Sequence, residues 1–526
     1  MTQTAVLRPY GERKPMAIGW RVLLFTGLVL AATVYGVMSA VLPLRWLMPA
    51  MAPIILIAAL CLWLLPDIGG YYRPLFEKLL AWSMVLHILW PGYVALNLPG
   101  LPWIGPLRFV IAMLVVTFLF NLATSAEVRR LAHESSMAEP FVGRMFWIFW
   151  LLTTVTVLLS SRFSLSLTKY LNNQIFWTMM FILGAMLARR SGFVRTALTW
   201  TFVAVLPTAI LSIFEYRAQK VIWVEYLPYW LWGDPELVAE LLQSSARAFT
   251  EEYRVRGTTL VALYYAEYLA MIFPVGLFLL WKARGIWRKS AMTAALMLLV
   301  IVMFLTGSRS AMGGLLVATV VFVFLAALSQ RARNETSLVA MSTLVAYPAA
   351  VVVLGVLLFT WNRLRVMVLG GGQHANSDGA RDTQWSMGFE ELARNPFGHG
   401  TAQSSYVLGY TNPAGEGTID TYFLSVMLDY GVLALPVFVS MFSVPIWLAW
   451  GISRRVWQDE ELEWMIPIGI GLLNFVIIKS VLSSEFNMPF AFVLLGLAVA
   501  LAARMRAEIE GTVTLPADRA LAVRAD

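Results

Sequence analysis

The sequence predicts an all-α polytopic membrane protein, a GT-C-like bundle of about 14 transmembrane helices with one large outward-facing loop. Composition is the first reason: 59% of the residues are hydrophobic and 13% charged, and the mean hydropathy is +0.71, outside the makeup of a soluble domain. The second is the recurrence of apolar stretches long enough to cross ~30 Å of hydrocarbon. The third is the charge pattern, because basic residues cluster in every second loop, as the positive-inside rule requires when no span has been missed.

The apolar stretches lie near 18–40, 46–66, 79–96, 104–124, 145–160, 172–188, 196–214, 257–281, 291–306, 311–329, 337–360, 421–450, 464–483 and 487–503. The first follows Arg8, Arg13 and Lys14 but is as long as a full span and lacks a small-residue cleavage site, so it reads as a transmembrane helix and not a signal peptide. With the N-terminus inside, the cytoplasmic loops carry Arg73/Lys78, Arg129/Arg130/Arg144, Arg189/Arg190/Arg195, Lys282/Arg284/Arg288/Lys289, Arg331/Arg333, Arg454/Arg455 and Arg504/Arg506. Two long segments, 215–256 and 361–420, then face outward. The expected organisation is 1–214 with spans one to seven, 215–256 as a first outer segment and 257–360 with spans eight to eleven and the Arg309 turn. A large outer loop or lid (361–420), the last three spans (421–504) and a short frayed tail (505–526) follow.

Several chemistries are excluded. The formal charge of +8 is accounted for by the cytoplasmic loops and implies no nucleic-acid partner. The lone Cys61 precludes an internal disulfide and argues against a metal-thiolate centre, and His87, His133, His374 and His399 show no metal-ligand spacing. There is no Gly-rich phosphate loop with a lysine and no Gly-x-Ser-x-Gly elbow. No metal or cofactor is expected.

The stretch from Asn362 to Gly431 is the longest polar interruption and collects Arg363, Arg365, His374, Asp378, Arg381, Asp382, Glu390, Glu391, Arg394, His399 and Asp420. Loops of this length are usually functional or disordered. Trp385, Met387, Phe389 and Leu392 on one side, with Glu390, Glu391 and Arg394 on the other, predict an amphipathic helix lying against an apolar surface. The first outer segment carries Trp223, Tyr226, Tyr229, Trp230 and Trp232. These fit either an interfacial aromatic belt or a sugar-stacking surface.

Ionisable groups near membrane depth are functional hypotheses by default. Arg309 sits in Thr306-Gly307-Ser308-Arg309-Ser310, among small residues that permit close backbone approach, and is placed to hold a phosphate; snorkelling to lipid headgroups is the alternative. Arg256 and Arg381, with Arg254 beside the former, would complete an anion site, since the guanidinium fork gives paired hydrogen bonds to phosphate oxygens. Asp420, at the start of an apolar helix, reads equally as a helix cap or as a carboxylate that orients or deprotonates an attacking hydroxyl. Lys479 and Glu485 read as a structural ion pair near the same face. His399, in Asn395-Pro396-Phe397-Gly398-His399-Gly400, occupies a Pro/Gly turn that is structural or near substrate.

The Thr-Gly-Ser-Arg-Ser turn at 306–310, Arg-x-Arg-Gly-Thr at 254–258, and the long loop with Arg381, Trp385 and the 395–400 motif resemble the O-antigen ligase and Wzy-type polysaccharide polymerase superfamily. So do Asp420-Thr421-Tyr422-Phe423-Leu424 and Asp429-Tyr430-Gly431. The resemblance covers roughly 200–450. It implies a GT-C-type helical fold and metal-independent, inverting transfer of an undecaprenyl-diphosphate-linked glycan at the periplasmic face of the inner membrane, with Trp385, Tyr422, His399 and Trp232 as glycan contacts. A chain-length regulator and a flippase are the partners it implies besides membrane lipid. Ligases of the family usually carry His-Asn-x-x-Leu where this chain has Asp420-Thr421-Tyr422-Phe423-Leu424. The aspartate there resembles the polymerase branch more.

Overall fold

The computed structural model describes residues 70–97, 103–233, 253–361, 375–411 and 417–511, with a few isolated positions elsewhere and only the backbone at 375–378. The predicted spans at 18–40 and 46–66 lie, but for isolated positions, outside the described residues. So do Arg363, His374 and the Asp378 side chain. The described part is helical throughout, with isolated bridges and no strand. It comprises α1 (Arg73–Leu89), α2 (Pro106–Thr124), α3 (Ala126–Ser136), α4 (Pro140–Leu158), α5 (Phe163–Asn173), α6 (Met180–Leu187), α7 (Phe193–Ala218), α8 (Ala262–Lys282) and α9 (Ile286–Leu305). After these come α10 (Arg309–Arg333), α11 (Leu338–Thr360), α12 (Ala375–Arg394), α13 (Ser404–Leu408), α14 (Tyr422–Tyr430), α15 (Ala434–Ser453), α16 (Met465–Lys479) and α17 (Met488–Ile509). Ten helices among the described residues are long and apolar enough to cross a membrane.

Three predicted spans take a different form. The 79–96 stretch ends as helix at Leu89, where Pro91 and Gly92 follow. The 172–188 stretch belongs to a longer run from Phe163 to Leu187, interrupted by a π turn at Gln174–Met179. There the Gln174 Oε1 accepts from Trp150 Nε1 at 2.8 Å and Thr178 Oγ1 at 2.7 Å. The 421–450 stretch breaks at Gly431, whose φ of +88° suits glycine, so α14 is a short helix and only α15 has spanning length. At the C-terminus, helix continues to Ile509, past the expected start of the tail at 505.

The chain divides into two compact units, 1–75 with 112–134, and 76–111 with 135–526. In the first, Arg129 donates to the carbonyls of Leu122 (2.7 Å) and Ala123 (3.1 Å), satisfying the otherwise orphaned C-terminus of α2. In the second, α16 and α17 form the centre: 89% and 78% of their spanning windows are buried, against none for the peripheral α11. Gly184 and Gly496 let α6 and α17 touch at backbone distance. A Cβ on Gly184 would lie 2.8 Å from the Val493 carbonyl, and one on Gly496 would collide with that of Phe181. Small residues at such crossings are how apolar helices associate where no hydrophobic force separates them from lipid.

The register of the central helices defines two ends. Gly314 of α10 faces Asn474 of α16, and Ser329 donates to Glu463, so the two helices are antiparallel. Asn474 Nδ2 donates to the Ala270 carbonyl (2.7 Å) and Lys282 pairs with Glu463, so α8 is antiparallel to α16 as well. At one end the basic residues are stitched to acidic ones. Glu463 takes Lys282 and Arg333; Glu461 takes Arg504 at 2.8 Å and the backbone amides of Gly192 and Arg195; Glu139 takes Arg506 at 3.0 Å. The opposite end carries the starts of α8, α10 and α17, the end of α16, and α12 to α14.

Candidate active site at one end of the helix bundle

The arginine-bearing segment before α8 is shaped by a residue that sequence reading passed over. Glu215, fully buried in the last turns of α7, accepts from Tyr253 OH (2.8 Å) and the Arg256 amide (3.0 Å) through Oε1, and from the Gly257 amide (3.0 Å) through Oε2. One carboxylate thus folds the segment into a turn. Gly257 has φ +56°, and a Cβ there would lie 2.9 Å from the Tyr265 ring, which explains the glycine in Arg-x-Arg-Gly-Thr. Next to it, burial and the nearby Glu215 charge push the Tyr253 hydroxyl well above its ordinary pKa, so it remains a donor. The signal available in the sequence was a lone acid in an otherwise apolar span.

The same turn brings Arg254 onto the Thr306-Gly307-Ser308-Arg309-Ser310 motif. Its Nε donates to the Thr306 carbonyl at 2.7 Å, the Val255 amide donates to the Leu305 carbonyl at 3.1 Å, and the Arg254 side chain covers Gly307. Ser308 caps α10 by accepting from the Ala311 amide. Arg309 is therefore the first residue of α10, half-buried, at a helix N-terminus that itself favours anions. Arg256, two residues from Arg254, reaches the Leu260 carbonyl at 3.5 Å.

Arg381 enters from the other side. On α12, half-buried, it reaches the Val481 carbonyl at 3.5 Å, just beyond the end of α16. Since Gly314 faces Asn474, Arg309 and Lys479 each lie five residues further along antiparallel helices and share a level. Arg254, Arg256, Arg309 and Arg381 accordingly gather at one end of the bundle, on three separate parts of the chain.

The described part of the large loop packs around α14. Its helix α12 buries Gln384, Gly388 and Leu392, one residue per turn, and a Cβ on Gly388 would lie 2.5 Å from Leu424. The predicted apolar face is thus only partly right. Trp385 and Met387 pack on a core of Leu392, Leu408, Leu424, Met427 and Leu428, but Phe389 is exposed, because it lies one position past the buried Gln384–Gly388–Leu392 stripe and rests on the Trp385 ring at 5.3 Å. The 398–404 segment is held by Asp429, whose carboxylate accepts from the amides of Ala402 (3.0 Å), Gln403 (2.9 Å) and Ser404 (2.6 Å). His399 N–H donates to the Leu428 carbonyl, and Gly398 and Gly431 press on each other's strands of backbone. The His399 ring lies 3.5 Å from Glu391 and 3.4 Å from Asn395.

Asp420 is partly exposed, and its backbone amide donates to Gln384 at 2.8 Å. Thr421, one residue later, occupies the N-cap position of α14 and makes no side-chain cap bond. Tyr422 is buried, with Lys479 5.4 Å above its ring. Lys479 pairs with Glu267 at 2.8 Å, both fully buried, and also donates to the Ser484 carbonyl. The expected Lys479–Glu485 ion pair is therefore corrected: α8 supplies a closer carboxylate one helix away. Trp232 packs into a cluster with Tyr93, Val94, Val221 and Val224 and donates to the Leu227 carbonyl, while Tyr226, Tyr229 and Trp230 present exposed rings.

Ten helices of spanning length among the described residues define a multi-pass membrane protein, and its four candidate arginines lie toward the end opposite the Glu461 and Glu463 ion pairs. Residues 294–439 match the family model described as O-antigen ligase. The matched segment holds Arg309, Arg381, His399, Asp420 and Tyr422, but neither the 254–256 arginines nor the loop after α16. No curated protein matches the chain.

Proposed function

We propose that this protein is a polysaccharide polymerase, moving a glycan from a polyprenyl diphosphate to the hydroxyl of a second lipid-linked repeat unit at the outer face of the inner membrane. The observation that carries this reading is the gathering of Arg254, Arg256, Arg309 and Arg381 at one bundle end from three chain segments. Guanidinium groups fixed before the reaction stabilise charge as it develops, commonly the largest catalytic term. Here that charge appears on the diphosphate as the anomeric C–O bond breaks. A diphosphate leaves as a stable anion and needs no acid. Asp420, partly exposed beside α14, orients the acceptor hydroxyl. Exposed Tyr226, Tyr229 and Trp230 offer ring faces to the glycan.

The test is Arg309→Ala and Arg381→Ala in a complemented null strain, read as polymer length and yield. Both variants should lose polymer; full-length product at normal yield from both removes the diphosphate reading. The family description favours a second reading, a ligase that transfers finished chains to lipid A core or protein. Accumulated lipid intermediates separate the two: loss of a polymerase leaves single repeat units on the lipid, whereas loss of a ligase leaves long chains.

A further inference from the structure

The loop that joins α15 to α16 emerges at the end of the bundle opposite the candidate arginines, among the ion pairs of Glu461 and Glu463. Several basic residues there are held by acids: Lys282 and Arg333 by Glu463, Arg504 by Asp459 and Glu461, Arg506 by Glu139. Arg454 and Arg455, directly after α15, differ from these. Both are exposed, and among the described residues neither has a carboxylate partner. What sets them apart from other exposed basic residues is a recess of about 310 Å³ between the end of α15 and the last turns of α17, which they line with Gly451, Trp457, Met505 and Ile509. No acidic residue is among the six, and the volume reaches the lower end of the ~300–1,000 Å³ of small-molecule sites.

The walls of the recess are fixed from several sides. Arg454 Cζ lies 4.8 Å from the centroid of Trp450, one turn back on α15, and Trp457 Nε1 donates to the Ile452 carbonyl at 2.8 Å. The Glu508 carboxylate accepts from the backbone amides of Gln458 (2.6 Å) and Asp459 (3.3 Å), which ties the loop to α17. A Cβ on Gly451 would meet nothing within 4 Å, so that side borders open space and not packed protein. Met505 and Ile509, four residues apart on α17, make one wall apolar. Beside the recess, Trp447 and Trp450 leave 68% and 40% of their surface exposed. Trp447, Trp450 and Arg454 recur at spacings of three and four, so a single face of the chain carries two exposed indoles and then a guanidinium. Indole rings collect where hydrocarbon meets headgroups, which puts the recess at headgroup level with an apolar path leading away from it.

We propose that this recess binds the phosphodiester headgroup of one anionic glycerophospholipid, from the leaflet opposite the candidate active site, with its acyl chains running past Trp450 and Trp447. The inference is independent of the diphosphate reading, which concerns the other end of the bundle. Two guanidinium groups offer paired donors to phosphate oxygens, and basic pockets between membrane helices are one way in which lipid headgroups are recognised. A zwitterionic headgroup would bring an ammonium into the same space, where both arginines repel it and no lining carboxylate receives it. A soluble anion would use the arginines alone and leave the exposed indoles without a role. The simpler origin of such arginines is charge that retains a loop on one side of the membrane during insertion. That origin requires neither a cavity nor a guanidinium held against a ring.

The experiment is native mass spectrometry of the purified full-length protein in detergent, titrated with dimyristoyl phosphatidylglycerol or dimyristoyl phosphatidylcholine. Wild type should retain one phosphatidylglycerol about ten-fold or more tightly than phosphatidylcholine. Arg454→Gln with Arg455→Gln should weaken that binding by roughly 30-fold. Arg288→Gln with Lys289→Gln removes two exposed charges at the same end but outside the recess, and should stay within about two-fold of wild type. Gly451→Leu keeps both arginines and fills the recess. It should weaken binding by about ten-fold or more at an unchanged melting temperature, because its side chain enters open space. Glycerol phosphate in excess should not displace the lipid. Equal affinity for the two lipids or wild-type binding in Gly451→Leu would overturn the site. So would an equal loss in the two double variants, which is the mark of diffuse charge, or full displacement by glycerol phosphate, which is the mark of a free-anion site. Should Gly451→Leu fail to fold, the comparison of the two double variants decides alone.

Discussion

Asp429→Asn should loosen the 398–404 segment without unfolding the bundle. In the native protein Oδ1 accepts from the Gln403 and Ser404 amides and Oδ2 from the Ala402 amide, and the residue is only 5% exposed. An asparagine has one carbonyl oxygen. Oriented toward Gln403 and Ser404, it turns its NH2 toward the Ala402 N–H, leaving a buried donor unmatched at about 1–3 kcal/mol. The two bonds that survive become neutral and lose roughly half their strength, about another 1 kcal/mol. The total of ~2–4 kcal/mol corresponds to ~30- to ~1,000-fold faster amide exchange where local opening governs exchange. Hydrogen exchange by mass spectrometry on a peptide spanning 398–408 reads this directly, with a peptide from α17 as the internal control. Exchange in 398–408 within three-fold of wild type, at unchanged global stability, would show that the carboxylate does not hold the segment.

Lys479→Met should cost about 3–5 kcal/mol, because it strands a fully buried Glu267 carboxylate, and the double variant with Glu267→Gln should recover much of it; thermal unfolding in detergent checks both. Glu215→Ala frees the Tyr253 hydroxyl and two backbone amides, so undecaprenyl diphosphate binding should weaken by at least ten-fold while the helical content seen by circular dichroism is kept. Gly496→Ala should lower the melting temperature, since its methyl group would meet the Phe181 carbonyl and push α6 from α17. Glu485→Gln should raise thermal stability at pH 8 and leave it unchanged at pH 4. A carboxyl whose folded pKa is raised destabilises the fold once pH exceeds its unfolded value, and below that value both residues are neutral.

Hydropathy made the fold legible because a span must satisfy its backbone internally, and ~20 apolar residues leave helix as the only choice. Where the pattern misled, the cause was local. Gly431 stops α14 inside a run of uniform hydropathy, and Phe389 has helical spacing to Trp385 and Leu392 yet lies one position past the buried Gln384–Gly388–Leu392 stripe, which spacing alone does not reveal. The arginines of the candidate site stood out because charged residues are rare in such a chain. Their partners did not. Glu215 and Glu267 look alike in sequence, as single acids in apolar segments, and only the fold shows that one shapes a turn through backbone amides while the other neutralises Lys479. Lys479 and Glu485 were paired by proximity in sequence, but Glu267 lies closer in space.

The same distinction bears on the most recognisable motifs. Asn395-Pro396-Phe397-Gly398-His399-Gly400 and Asp429-Tyr430-Gly431 turn out to face one another, joined by backbone hydrogen bonds from His399 to Leu428 and from Gly400 to Asp429, with both glycines needed for the approach. Gly400 is pressed in addition against Ser160, Ser166 and the Thr156 carbonyl, so a side chain there would part the loop from α4 and α5. Arg162 lies over the Tyr406 ring at 3.4 Å and closes the same seam. These motifs are thus accounted for by construction: they lock the large loop to the bundle and fix α14 at its start. What α14 then presents is set by the residues beside them. Asp420 is carried against Gln384 of α12, and α12 is held so that Arg381 reaches the Val481 carbonyl just past the end of α16. A motif glycine therefore bears on chemistry through position alone, and its loss should resemble the loss of Asp429 more than the loss of an arginine.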